Sequence, residues 1–161
     1  MILIVADTGP INYLIQIGCV GVLSQLVKKV VLPAFVLSEL QSEDAPTEVR
    51  EWAEKLPVWV EVKLAISLIP VDPELSLADR EAISLAREMN ALLLMDDRRA
   101  RLVATREAVS TIGTLGILEA AAAKGLISLP TALERLRATN MFISAELLTQ
   151  ALRRDSARRG H

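Results

Sequence analysis

The stretch ALLLMDDRRAR, residues 91–101, places two adjacent acids directly after an apolar run. Asp96 and Asp97 are followed at once by a cluster of arginines. Asp7 likewise ends an apolar run near the N-terminus. Acids at such points can accept hydrogen bonds from the first turn of a helix, or can line a site at the carboxyl end of a parallel strand. The sequence therefore raises the question of whether these carboxylates converge.

Two further acids lie where a helix is expected to be apolar. At about 100° per residue, Glu39 falls inside the apolar arc of a helix that begins near Ala34. Asp79 falls between apolar positions of a second helix, which begins near Ala78, and Glu81 lies at the edge of that arc. An acid in an apolar arc is unusual unless it has a partner, so these positions are candidates for a site.

Each acid also has a structural alternative. Asp7 is placed to cap a helix, and Glu39 is placed at the edge of one. Asp79 stands three residues after Ser76, as in a capping box. One member of the 96–97 pair is expected to cap the helix that follows. Because the structural alternatives require four separate coincidences of placement, we favour a shared site.

A cluster of four carboxylates favours a divalent cation. Two unit charges about 4 Å apart repel by about 4 kcal/mol at an effective dielectric of 20, so the cluster must protonate in part or bind a cation. Ligands that are all oxygen favour Mg²⁺ or Mn²⁺ over zinc. The single histidine, His161, is the last residue, so a histidine-based triad lacks its base. A metal ion can replace a histidine base by activating water.

Apolar strands alternate with helices along the chain, which is typical of a parallel sheet covered on both faces. Such a sheet brings the carboxyl ends of its strands to one edge. We expect an α/β, three-layer αβα fold with a central, mainly parallel sheet of four to five strands and extra C-terminal helices. The strands are predicted near residues 2–5, 30–32, 58–63, 91–95 and 109–111, and the last three helices near residues 114–124, 130–138 and 144–154.

Composition limits the class of protein. Of 161 residues, 52% are hydrophobic, which suits one domain with a full core. Aromatic residues make up 3%, which argues against a base-stacking platform. Cys19 is the single cysteine, so no internal disulfide is possible, and we expect a cytoplasmic protein without a membrane span. Residues 1–96 are net acidic and residues 97–161 are net basic. The basic half could either bind a polyanion or form an ordinary solvated surface.

Four blocks of the sequence resemble, in order, the motifs of the PIN-domain family: VADTGPINYL, LPAFVLSEL, LADREAISLA and LLLMDDRRAR. The resemblance covers residues 2–112 and is greatest to the VapC-like toxin branch, in a subgroup often left as a domain of unknown function. It implies a PIN-like catalytic core over residues 1–112. Residues 113–161 would then form a helical extension packed on the same single domain.

The resemblance also implies the roles of individual residues. The family's catalytic acids match Asp7, Glu39, Asp79 and Asp97. Metal contacts are implied for Asp7, Asp79 and Asp97, with Asp96 and Glu81 as further candidates in adjoining positions. Substrate contacts are expected from Thr8, Arg98, Arg99 and Arg101. Many relatives place Thr or Ser near the position of Met95, so one hydroxyl contact is missing here.

The activity that the resemblance implies is that of a Mg²⁺- or Mn²⁺-dependent endoribonuclease, the toxin of a toxin–antitoxin pair. Its partners would be RNA and a small antitoxin protein. We also expect a homodimer, because the hydrophobic content is high and the helix near residues 114–124 is rich in alanine. A catalytically inactive PIN-like module that docks a protein and another metal-dependent phosphoesterase are the alternatives. An aspartyl phosphatase usually has a second acid two residues after the first, where Gly9 stands. A receiver domain would need an acid after the third strand, which offers none.

Overall fold

Five parallel strands form the central sheet of the computed structural model, which describes residues 3–160. The strands are β1 (Leu3–Ala6), β2 (Lys29–Pro33), β3 (Val60–Lys63), β4 (Leu92–Leu94) and β5 (Thr111–Ile112). Their order across the sheet is β3-β2-β1-β4-β5, and every neighbouring pair is parallel. This confirms the predicted fold class. The predicted strand start at Ile2 and the terminal His161 lie outside the described residues.

Helices follow the strands at nearly the predicted positions. They are α1 (Thr8–Gln16), α2 (Leu23–Leu26), α3 (Ala34–Leu40), α4 (Thr47–Glu54), α5 (Leu77–Met89), α6 (Arg98–Arg106), α7 (Thr114–Ala123), α8 (Leu129–Arg137) and α9 (Ala145–Arg158). Residues 20–22 form a short 3-10 turn before α2. The last strand begins two residues later than predicted, at Thr111, because the left-handed turn at Ala108 delays it.

The two faces of the sheet bury different apolar clusters. In β1, Ile4 and Ala6 pack with residues of α1, α7 and α8, whereas Val5 packs with residues of α5 and α6. This alternation follows from the two-residue period of a strand. The cluster on the first face also includes Ala151 of α9, so the C-terminal helices share the core of the sheet.

The apolar arc predicted for α3 is wrong in part. Val36 and Leu40 are buried, but Phe35 is 38% exposed and Glu39 is exposed. A helix of seven residues that contacts β2 along one side buries only the stripe formed by positions four residues apart. Glu39 is therefore accessible to other polar groups.

Within residues 3–160, no helix combines the length and the apolar character that a membrane crossing requires.

The N-terminus of α5 is held by the capping box that the sequence indicates. The Asp79 backbone N–H donates to Ser76 Oγ at 3.0 Å, and the Ser76 backbone N–H donates to Asp79 Oδ2 at 3.3 Å. We expect Ser76→Ala to lower the free energy of unfolding by about 0.5–2 kcal/mol. Urea denaturation measures this, with Ser110→Ala, an exposed serine outside any helix, as the control. Equal losses in both variants would contradict the role of the cap.

Candidate active site

Asp7 ends β1 in a buried position and is only 8% exposed. Its backbone N–H donates to the Leu94 carbonyl oxygen at 2.9 Å, which aligns the ends of β1 and β4. Asp7 occupies the N-cap position of α1, yet its side chain makes no capping hydrogen bond. Among the described residues, Asp7 Oδ1 is buried without any hydrogen-bond partner. Helix capping therefore does not account for this carboxylate, and a buried acceptor of this kind calls for a ligand.

The environment of Asp7 disfavours its negative charge. Burial, and then the charge of Asp79, raise the pKa of Asp7 to about 7, and the charge of Glu39 adds to the effect. The nearby Thr8 backbone N–H opposes this rise only in part. Near neutral pH the Asp7 carboxyl is therefore divided between its protonated and charged forms. A cation beside it would favour the charged form.

Asp79 combines a structural position with proximity to Asp7. The capping box uses Asp79 Oδ2, and the half-buried side chain lies close enough to Asp7 to raise its pKa by charge and by hydrogen bonding. The cap fixes the first turn of α5 over the end of β1. Asp79 therefore caps its own helix and also lies beside Asp7, so its capping role does not exclude a role in the site.

Glu39 reaches the same edge of the sheet from α3. The Thr8 hydroxyl donates a hydrogen bond to Glu39 Oε1, which joins the first turn of α1 to α3. Since the charge of Glu39 also raises the pKa of Asp7, the two acids lie within electrostatic range. The structure therefore brings together Asp7, Glu39 and Asp79, with Thr8 between the first two.

The two acids after β4 separate. Asp97 is the N-cap of α6, where its Oδ1 accepts the Ala100 N–H at 2.8 Å. Asp96 instead accepts from the Thr114 backbone N–H at 2.7 Å and from the Thr114 hydroxyl at 2.6 Å, at the start of α7. One of the two was expected to cap the helix after β4, and the structure shows that this residue is Asp97, whereas Asp96 holds the start of α7. Neither acid contributes to the pKa shift of Asp7.

Strand alternation explains this separation. Leu94 belongs to the face that packs against α7, and Asp96, two residues later, turns to the same side. Met95 belongs to the face that includes Val5 and α6, and Asp97 follows it there. Asp97 therefore lies on the same side of the sheet as Val5 and Asp7, although it is exposed and caps its own helix.

Glu81 serves α3. Its carboxylate is only 2% exposed, and Glu81 Oε1 accepts the Phe35 N–H at 3.0 Å, in the first turn of α3. Glu81 thereby holds the helix that carries Glu39. Sequence reasoning counted Glu81 only as a rival ligand and missed this contact between helices, although its place at the edge of the apolar arc was a signal of burial.

The three arginines after β4 have different partners. Arg99 pairs with Asp72 at 2.8 Å and with Glu74 at 3.3 Å, so its guanidinium is already occupied. Arg101 Nε donates to the Thr111 hydroxyl at 3.2 Å, and Arg98 is exposed. Arg98 and Arg101 share a cleft with Asp96, and these two are available to an anion.

Gly113 lies directly against the side chains of Asp96 and Arg101. A Cβ atom at Gly113 would lie 2.9 Å from Asp96 Oδ1 and 3.1 Å from Arg101 Nη1. A larger residue there would displace the carboxylate that holds the first residue of α7. Glycine is therefore required at position 113, because the side chains of Asp96 and Arg101 lie too close to leave room for a Cβ atom.

The acids suit a hard divalent cation. Within residues 3–160 no three Asp, Glu, His or Cys side chains are already close enough to form a complete metal site. The donors that converge are all carboxylate oxygens, the ligands that Mg²⁺ and Mn²⁺ prefer. The unpartnered Asp7 Oδ1 and the raised pKa of Asp7 both favour a positive charge beside this carboxylate. Asp7, Asp79 and Glu39 are thus the residues that could hold the ion.

Comparisons with known proteins agree with this architecture. A family model described as a PIN domain matches residues 3–157, well beyond the motif blocks. Among solved structures, the chain is similar to a PilT N-terminus domain protein from the hyperthermophilic archaeon Sulfolobus solfataricus P2. That similarity has a TM-score of 0.50 and 18% identity, and covers 88% of this chain and 99% of that one. No curated protein matches the chain.

The pKa of Asp7 predicts how stability depends on pH. The ordinary pKa of 3.8 applies to the unfolded chain, whereas the folded value is about 7. Between these values the folded state binds more protons, so metal-free protein loses stability as the pH rises through this window. Asp7→Asn removes the penalty. We expect its advantage in unfolding free energy over wild type to grow between pH 5 and pH 8, by an amount on the order of a few kcal/mol.

Urea denaturation in EDTA at the two pH values measures this advantage. Glu134→Gln removes an exposed carboxylate of α8 and serves as the control, with little change between pH 5 and pH 8. A constant difference between Asp7→Asn and wild type would show that the buried carboxyl does not titrate in this range.

Different hydrogen bonds at Asp96 and Asp97 predict different costs. Asp97→Asn retains a good N-cap and should change the unfolding free energy little, whereas Asp97→Ala should cost about 0.5–2 kcal/mol. Asp96→Ala leaves the donors of the buried Thr114 unpaired, which costs about 1–3 kcal/mol per group. Unfolding free energies rank the variants. A smaller loss in Asp96→Ala than in Asp97→Ala would contradict the Asp96–Thr114 contact.

Proposed function

The chain belongs to the PIN-domain family, and from this premise we propose that it is a Mg²⁺- or Mn²⁺-dependent endoribonuclease that hydrolyses RNA phosphodiester bonds. PIN domains are in general nucleases. The observation that carries the proposal is the buried Asp7 carboxylate, with an unpartnered oxygen and a pKa of about 7, beside Asp79 and Glu39. An acidic site of this kind at the edge of a parallel sheet supports hydrolysis at phosphorus.

Asp7, Asp79 and Glu39 would hold the divalent cation, and Asp97 is proposed as the fourth acid. The chemistry that a bound cation supplies is the activation of water and the neutralisation of charge on the phosphate. Asp7 must lose its proton to contribute, so binding is favoured as the pH rises past about 7. Asp97 has one carboxylate oxygen, Oδ2, outside its capping bond.

Two contacts position these acids. The Thr8 hydroxyl orients the Glu39 carboxylate, and Glu81 fixes the start of the helix that carries Glu39. Both contacts restrict motion of Glu39 before any substrate arrives. Such preorganisation reduces the cost of bringing the ligands into place.

Arg98 and Arg101 are proposed to bind phosphates that flank the cut bond. Guanidinium–phosphate contacts are charge-assisted and often bidentate. Arg99 was also expected to bind substrate, but its pairs with Asp72 and Glu74 favour a structural role in fastening α6 to the loop before α5. RNA binding should therefore weaken with rising salt chiefly through Arg98 and Arg101.

The proposal extends to the biological role. The four motif blocks, which resemble the VapC-like branch, support a toxin that is inhibited by a small antitoxin protein. We also propose that the protein is cytoplasmic, from its single cysteine, and that it acts as a homodimer, from its high hydrophobic content.

Cleavage of a mixed RNA pool by the full-length chain tests the proposed activity. We expect cleavage in Mg²⁺ or Mn²⁺ and none in EDTA. Asp7→Asn, Asp79→Asn and Asp97→Asn should each lower the rate by at least about 100-fold, because even residues behind the ligands contribute roughly 10–100-fold. Asn keeps the cap at position 97, so loss of activity in that variant would not be due to unfolding. Glu134→Gln should cleave like wild type.

Other outcomes identify the alternatives. A metal-dependent rise in melting temperature without RNA cleavage would favour another phosphoesterase, which a panel of DNA and small phosphodiesters would reveal. Absence of both cleavage and metal stabilisation would favour an inactive module that docks a protein.

A further inference from the structure

A cavity of about 670 Å³ opens beside the acidic site, between α1, the α3–α4 segment and the loop that joins α8 to α9. Thr8 and Glu39, which are joined by a hydrogen bond, both line this cavity, so it borders on the acidic site through Glu39. We call this cavity the side pocket. Its position means that a group attached to a phosphate at the acids can enter it.

The chemistry of the side pocket differs from that of a phosphate site. Its uncharged polar side chains are those of Thr8, Asn12, Tyr13, Gln16, Ser42, Thr139 and Asn140. Of the described residues that line it, two are acids, Glu39 and Asp44, and none is Lys or Arg. Phosphate would be repelled here. A neutral ligand that offers hydrogen-bond donors, such as the amino edge of a nucleobase, is complementary to this lining.

One wall of the side pocket is fixed by hydrogen bonds. The Tyr13 hydroxyl donates to Asn140 Oδ1 at 3.0 Å, which fastens the loop to α1. The Thr139 hydroxyl donates to the Leu136 carbonyl oxygen at 2.6 Å and accepts the Met141 N–H at 3.2 Å. The loop is therefore held in place before a ligand arrives.

The α1 side of the pocket also presents two free amides. Asn12 and Gln16 lie four residues apart on α1, so their side chains are neighbours on one face of the helix. Both are half-buried, and neither side-chain amide forms a hydrogen bond within the described residues. Each amide offers donors and an acceptor, the combination that distinguishes one base edge from another.

We propose that the side pocket binds one nucleobase of the RNA strand next to the phosphate that is cut, and that Asn12 and Gln16 determine which base is accepted. The inference rests on the proposed ribonuclease function and adds a specificity site to it. Arg98 and Arg101 line a separate cleft, so base recognition and phosphate binding occur on different walls. Bases with an exocyclic amino group are favoured because this group can donate hydrogen bonds to Glu39 and Asp44, the acids that line the pocket.

Nucleosides test the pocket without cleavage. They lack phosphate, so Arg98 and Arg101 do not attract them. The full-length chain, labelled with ¹⁵N and kept in EDTA, is titrated with each of the four nucleosides. We expect the side-chain amide signals of Asn12 and Gln16 to shift, and Asn12→Ala or Gln16→Ala to weaken binding about 5- to 10-fold, the effect of one hydrogen bond. Gln150→Ala removes an exposed glutamine of α9 outside the pocket and should leave binding unchanged.

Sequencing the ends of cleaved RNA provides the second measurement. We expect wild type to prefer one or two bases next to the cut, and Asn12→Ala and Gln16→Ala to cut with a broadened preference. Nucleosides that leave both amide signals unshifted would overturn the proposal. Cleavage with unchanged preference in both variants would also overturn it, while leaving the ribonuclease function in place. Nucleoside binding without cleavage would support the pocket and overturn the ribonuclease.

Discussion

The burial of one carboxylate at the end of β1 is the constraint on which the rest of the site depends. Asp7 is fixed there by the sheet itself, because its backbone N–H is bonded to the neighbouring β4. The backbone is thus held in place, and the side chain is buried at this edge of the sheet. Asp79 and Glu39 approach from two helices, and their charges make the position still less favourable for an anion. The site thus combines one acid held by the sheet with two acids held by helices.

Hydrogen bonds at the starts of helices hold these acids in position. The capping box holds Asp79 at the start of α5, and Glu81 holds the start of α3 by accepting a backbone N–H. Asp96 does the same at the start of α7. In each case an acidic side chain satisfies a helix donor that would otherwise have no partner. The acidic edge of the sheet is therefore also the place where several helices are fixed, so the site and the packing of the fold share the same residues.

Strand alternation and capping patterns were sufficient to predict most of the fold. The apolar runs gave the strands, Ser76 and Asp79 indicated the cap of α5, and Asp7 and Asp79 converge as expected. The roles of Asp96 and Glu81 depend on contacts with residues distant in sequence, Thr114 and Phe35, which no local pattern shows. The ion pairs of Arg99 and the pocket beside Thr8 likewise arise only from tertiary packing.

The raised pKa of Asp7 has a consequence for how such a chain changes over generations. A charged acid buried without a partner makes the metal-free fold less stable at neutral pH than a chain with a neutral residue at position 7. Drift unopposed by selection would replace Asp7, since most neutral substitutes of similar size gain stability. The metal-free fold therefore holds Asp7 beside Asp79 and Glu39 at the expense of its own stability at neutral pH.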